Sequence, residues 1–310
     1  MDRPPMVAMT AGRGSPPADR VGLGWRGELA AGIFEHLGAI DVLEVIAEDW
    51  LHAGRAEAAA LAELARARPL TLHGVSLGAA SCEPVAGWRI DRLARLVDRV
   101  RPEFWSEHLA FVRAGGIEIG HLAAPPRSAA TVEGACANLA RAARVVGALP
   151  QVENIATLID PPASTLDEAT WVRDIVEGSG ASLLLDLHNL LANALNFGRD
   201  PHALLQALPT QRVRTVHVSG GRWVPVPGGR PRLLDDHVHD VPDAVFVLLE
   251  DLAGRVAQPL TVILERDGRY PTMPVLVAQL QRLRQALASG RSARHAMQRT
   301  APLGAHRQAA

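Results

Sequence analysis

The 310-residue chain has no lysine; all 32 of its Lys-plus-Arg residues are arginine. Schiff-base aldolase chemistry and pyridoxal-phosphate catalysis both need a lysine amine, so those reactions are excluded. Cysteine is almost missing too: Cys82 and Cys136 alone cannot build a disulfide framework or a thiolate zinc site. No apolar run approaches the roughly 20 residues of a membrane-spanning helix. A formal charge of −1 gives no general attraction to nucleic acid or anionic lipid. The opening "MDRPPMVAMTAGRGSPPADR" lacks the apolar centre of a secretory signal. The expectation is a cytoplasmic protein that binds neither nucleic acid nor membrane. Residues 1–19 read as a flexible lead-in and 290–310 as a disordered tail.

What is present is a regular alternation. Hydrophobic residues make up 48% of the chain, enough for a large core. Short apolar segments recur as "RVGLGW", "DVLEVIAE", "PLTLHGV", "EFWSEHLAF", "PQVENIA", "SLLLDLH", "RTVHVSG" and "LTVILERD". Helix-like stretches separate them, with Gly38, Gly178 and Gly254 as candidate C-terminal stops. The run Leu183-Leu184-Leu185 shows no polar alternation, as in a parallel strand covered on both faces. Eight strands alternating with eight helices predict an α/β fold, a single (β/α)8 barrel over residues 20–289. Long loops follow the third and seventh strands, at 76–89 and 219–240. They would lie on the face of strand C-termini where barrel active sites sit.

Two motifs fail their context. "GLGWRG" matches a dinucleotide fingerprint, with Asp41 and Glu44 downstream, but its glycines lie inside the first strand. "GVSLG" places Ser76 as in a nucleophile elbow, yet the residues after it, including Cys82, Pro84 and Gly87, have no helical period.

The strand ends carry the chemistry: His73, His108 with Glu107, Glu153 with Asn154, Asp186 with His188 and Asn189, His217, and Glu265. The seventh loop adds Asp235, Asp236, His237 and His239. Without a cation these carboxylates would repel and the imidazoles would need shielding. A single ion takes about six ligands at most, so two or three ions sharing a carboxylate fit the set better. Imidazole and carboxylate without thiolate suit iron, manganese or zinc. A zinc- or manganese-dependent barrel hydrolase or isomerase is one reading of such a site. In a strand Asp186 and His188 would share a face, with Asn189 joining them only once the chain leaves the strand. Arg222, Trp223 and Arg230 on the seventh loop are candidate substrate-binding residues, the arginines suited to carbonyls and acidic groups.

In order along the chain, "LTLHGVSLG", "SEHLAF", "VENIATLI", "LLLDLHNLLANALNFG", "VHVSGG", "DDHVHDVPD" and "ILERDGRYP" resemble the multinuclear non-haem iron-dependent oxidative enzymes, relatives of the methanobactin-forming oxidase. The resemblance runs from about Val21 to Tyr270. It implies a barrel with two or three irons that uses O2 to modify a ribosomally made precursor peptide, commonly at cysteine or near a chain end. It also implies a separate leader-recognising partner protein. Carried over by motif, His73, His108 and Glu153 would hold the first iron, and Glu153, Asp186, His217 and Glu265 the second, with Glu153 as bridge. Asn189, Asp235 and His237 would form the third site; Asp236 is the alternative to Asp235, which its spacing to His237 favours. Many relatives have Asn where this chain has His188, so His188 becomes an added ligand or a proton donor, a catalytic candidate beside Glu153. Many have His where Gly221 stands.

Overall fold

The computed structural model describes residues 18–300; the lead-in before residue 18 and the last ten residues of the expected tail lie outside them. All eight sequence-predicted strands form. β1 (Arg20–Gly24), β2 (Leu43–Ile46), β3 (Leu70–Gly74) and β4 (Trp105–His108) build one half of a closed barrel. A hairpin of β5 (Phe111–Ala114) and β6 (Ile117–Ala123) then projects, before β7 (Gln151–Glu153) and β8 (Ser182–Asp186) return to the barrel. β9 (Val213–Val218) follows, then a second hairpin of β10 (Gly221–Val224) and β11 (Arg232–Asp235), and β12 (Thr261–Leu264) closes the barrel against β1. Every barrel pairing is parallel.

Parallel strands lined inside by side chains and covered outside by helices are buried on both faces. Leu183, Leu184 and Leu185 accordingly have no exposed surface. Register then sets the site. His108 lies opposite Glu153, and Asp186 opposite His217, so one end of the barrel collects them.

The helices are α1 (Ala30–Glu35), α2 (Arg55–Ala67), α3 (Gly87–Val100), α4 (Ala129–Val146), α5 (Glu168–Ser179), α6 (Leu187–Asn196), α7 (Pro201–Ala207), α8 (Asp243–Arg255) and α9 (Met273–Thr300). The glycine stops differ from expectation. Gly147 and Gly180 take the left-handed conformation that ends α4 and α5, at φ 91° and 74°. Gly178 and Gly254 lie inside helices instead.

The tail expected from residue 290 is helical as far as Thr300. Two contacts explain this. A Cβ on Gly290 would lie 2.2 Å from the Glu250 carbonyl oxygen, so α9 packs directly on α8 there. Arg291 bonds Asp19 (Nε to Oδ2, 2.9 Å) and the Gln258 carbonyl (2.7 Å), tying the helix to the start of the barrel.

Candidate metal centre

Glu153, the last residue of β7, lies at the centre of the strand-end cluster. Its Oε2 is 3.2 Å from His73 Nε2 and 3.3 Å from His108 Nε2. Its Oε1 is 3.2 Å from His217 Nδ1, which is also 3.2 Å from Glu265 Oε2. Two groups with ion-holding geometry therefore share this carboxylate: His73, His108 and Glu153, and Glu153, Asp186, His217 and Glu265. All are buried.

The outer nitrogens are also held. His73 Nδ1 meets the Ser106 hydroxyl at 2.8 Å, and His108 Nδ1 the Gly74 carbonyl at 3.0 Å. A third group, Glu44, His73 and His217, lies beneath these.

β8 ends at Asp186 and the next residue begins α6, so the strand reading of His188 is corrected. The cause is local: Asp186 Oδ1 accepts the Asn189 N–H at 2.7 Å and caps the helix. Asn154 reinforces the corner, its side chain pairing with the N–H and carbonyl of Asp186 at 2.9 and 3.0 Å. His188 thus turns behind Asp235, Nδ1 to Oδ1 2.8 Å, with no exposed surface. It does not line the cavity.

Asn189, Asp235 and His237 do line it. His237 Nε2 lies 2.7 Å from Asp235 Oδ2, and His237 Nδ1 3.0 Å from Asp267. His237 adopts a left-handed φ of 53°, a strained state that surrounding contacts must maintain. Gly220 and Asp267 backbone bonds, 3.0 and 2.8 Å, hold it. Asp236 faces away from the centre, to His239 at 2.8 Å and Arg222 at 3.4 Å.

The donor atoms fit a cation. Glu153 Oε2, Asp186 Oδ2, Asn189 Oδ1, His237 Nε2 and Glu265 Oε2 are buried without a hydrogen-bond partner. Such orphans are costly unless something charged meets them. The protonation pattern of the ion-free centre shows the same tension. Burial, then the charges of Asp235, Glu153 and Glu265, push the Asp186 carboxyl well above its usual range. Burial opposes charge on His108, yet Glu153 and then Glu107 raise it to about 9. His217 is likewise raised against its burial, by Glu265, Glu44 and Glu153. His73 goes the other way: burial and the neighbouring His108 and His217 lower it well below the ordinary imidazole value. Protons thus hold together what a cation's charge would.

The adjoining cavity of about 210 Å³ is lined by the polar His108, Glu153, Asn189, Asp235 and His237 and by the apolar Leu122, Ile155, Leu158 and Leu234. Arg222, Trp223 and Arg230 do not line it; they stand exposed on the β10–β11 hairpin and its tip. The apolar wall was missed from sequence because Leu122 belongs to the unforeseen β5–β6 hairpin. Glu44 was missed because its strand position is not terminal.

Fold and centre together define a closed barrel with a buried, multi-ligand His/Asp/Glu cluster at its strand ends. Residues 20–288 match the family described as "RiPP precursor modification enzyme MbnB/TglH/ChrH", and the chain belongs to that family, the multinuclear non-haem iron-dependent oxidative enzymes. A "UPF0276 protein" of Streptomyces avermitilis is 35% identical over 278 residues, 86% of this chain and 54% of that protein. The chain thus spans about half the length of that relative. A "UPF0276 protein" of Caulobacter vibrioides is 33% identical, over 81% of this chain and 89% of its own length. Among solved structures, an L-ribulose 3-epimerase superposes with a TM-score of 0.57 at 13% identity, covering 93% of this chain and 100% of its own. D-psicose 3-epimerase from Clostridium cellulolyticum H10 gives 0.52 at 13% identity, covering 89% and 98%. These likenesses show the barrel. Among the described residues no helix is long and apolar enough to cross a membrane.

Proposed function

We propose that this protein is an O2-dependent, multinuclear non-haem iron oxidase that modifies one residue, a cysteine or a residue near a chain end, of a ribosomally made precursor peptide. The observation that carries this reading is Glu153, a fully enclosed carboxylate shared by two ligand groups. His73 and His108 would hold one iron with it, and Asp186, His217 and Glu265 another. Asn189, Asp235 and His237 would complete a third position. Bound iron would supply redox chemistry and open coordination positions.

The protein's own residues do the rest. Leu122, Ile155, Leu158 and Leu234 give the cavity an apolar lining that favours an uncharged or thiol side chain beside the ligands. A volume of about 210 Å³ fits one residue of a peptide rather than several. The flanking chain would run outside, where Arg222, Trp223 and Arg230 can hold it and where a leader-recognising partner protein would present it. Glu153 would be the carboxylate common to the two positions, and His188 holds Asp235 from behind.

The test is direct. Protein prepared without oxygen, loaded with iron(II) and given the precursor peptide encoded beside its gene should change that peptide's mass while consuming O2. Activity restored by zinc or manganese without oxygen uptake would replace this reading with a barrel hydrolase or isomerase.

A further inference from the structure

Three histidines surround Glu153, and their outward nitrogens meet three different chemistries. His73 is backed by the neutral Ser106 hydroxyl, and His108 Nδ1 by the Gly74 carbonyl at 3.0 Å, with Glu107 Oε1 farther off at 3.9 Å. His217 is backed by a carboxylate: its Nε2 lies 2.8 Å from Glu44 Oε1. The approach is off-axis, close enough for an ion pair but outside hydrogen-bond geometry, and among the described residues that nitrogen has no hydrogen-bond partner. Glu44 is 2% exposed, and its other oxygen accepts from the Thr71 hydroxyl at 3.2 Å. A carboxylate so deeply buried is costly unless it is paired. Thr71 is neutral, and among the described residues His217 is the group within ion-pair distance of Glu44 that can carry the opposite charge. The two nitrogens of His217 therefore divide. Nδ1 faces Glu153 and Glu265, each at 3.2 Å, while Nε2 faces Glu44.

We propose that Glu44 is a positioning residue for the metal centre: by accepting the Nε2–H of His217 it fixes the ring's tautomer and aims Nδ1 at the position formed with Glu153, Asp186 and Glu265. This rests on the reading of that cluster as a metal site. A carboxylate behind a ligating imidazole orients the ring and strengthens it as a donor. The second position would then combine three carboxylates with the histidine whose nearest backing group is a carboxylate, at 2.8 Å. In the first, the nearest groups behind the two histidines are neutral, and Glu107 stands 3.9 Å from His108 Nδ1. The alternative for Glu44 is direct ligation in the group with His73 and His217. That use would take Nε2 for the ion, leave an N–H at Nδ1 pointing into Glu153 and Glu265, and draw His73 away from Glu153.

The experiment compares wild type, Glu44→Gln and Glu44→Ala, all metal-stripped and then titrated with iron(II) without oxygen. Glu44→Gln keeps the shape and a neutral acceptor, so it guards against misfolding in Glu44→Ala. The expected result is a full ion count at excess iron in both variants, with affinity at one position weakened roughly 10- to 100-fold in Glu44→Ala and less in Glu44→Gln. Zinc(II)-loaded, 15N-histidine-labelled protein gives a second readout. Wild type should show the His217 proton on Nε2, shifted downfield by the carboxylate, and Glu44→Gln should move that signal back. An ion lost from Glu44→Gln and not restored by excess iron would make Glu44 a ligand and overturn the proposal. Unchanged affinity together with an unmoved His217 signal would overturn it as well. Wild-type protein that binds no metal at all would instead refute the metal-site reading beneath it.

Discussion

Replacing Asp186 with asparagine separates the two tasks of that residue. Oδ1 accepts the Asn189 N–H at 2.7 Å and caps α6, whereas Oδ2 is buried without a partner. Asparagine caps a helix about as well as aspartate, while alanine loses about 1 kcal/mol there. In the ion-free protein the Asp186 carboxyl is raised well above its ordinary value of 3.8, by burial and then by Asp235, Glu153 and Glu265. The folded chain then keeps a proton that the unfolded chain releases. Stability from this group is intact below 3.8 and declines as pH climbs from there toward the raised folded value. Asp186→Asn has nothing to titrate, so ion-free variant and wild type should diverge over that interval, with the variant at least as stable near neutrality. Iron should reverse the order. An ion at one hundred times its Kd adds about 2.7 kcal/mol. At about 2–4 °C per kcal/mol for a large domain, that is a rise of roughly 5–10 °C for wild type, much reduced in the variant. Calorimetric scans with and without iron(II), in the absence of oxygen, read both effects. An ion-free Asp186→Asn several degrees below wild type near neutrality, or an equal rise with iron in both, would refute the reasoning.

Gly221→Ala should lower stability by about 1–3 kcal/mol, read as a fall in melting temperature, because its Cβ would lie 2.1 Å from the Leu234 carbonyl oxygen and 2.5 Å from His188 Cε1. Its iron content at the Glu153 positions should stay intact, as elemental analysis would show. Metal affinity should rise with pH up to about 9, since iron must displace the proton that Glu153 and Glu107 hold on His108 against its burial. Calorimetry in buffers of different ionisation enthalpy should count the released protons. Leu158→Asp, on the apolar wall of the cavity, should keep the ions and cut peptide modification at least about tenfold, the equivalent of about 1.4 kcal/mol.

The barrel was legible because parallel strands buried on both faces leave unbroken apolar runs such as Leu183–Leu185, and because a histidine or acid closes most of them. His73, His108, Glu153, Asp186, His217 and Glu265 could be read as one group for that reason. What stayed hidden depends on tertiary contact. "EFWSEHLAF" reads as one strand, yet β4 ends at His108 and Phe111 starts a hairpin that delivers Leu122 to the cavity. Asp186 reads as a strand residue, yet the same carboxylate that ends the strand caps the next helix. Asp235 and Asp236 are neighbours of identical chemistry, and it is the β10–β11 register, Gly221 opposite Asp235, that turns the first toward His237. Glu44 sits in the middle of an apolar strand, where the sequence alone offers no sign that it reaches His217. The arginine-rich end of α9 looked frayed because its partners, Asp19 and the carbonyls beyond α8, are far away in sequence.

The central claim is that Glu153 joins two metal positions. A crystal of protein prepared and loaded with iron without oxygen, measured on both sides of the iron absorption edge, tests it most directly. The expected map has at least two iron peaks with Glu153 between them, one against His73 and His108 and one against Asp186, His217 and Glu265. A single peak, or none with Glu153 bonded only to its three histidines, would contradict it.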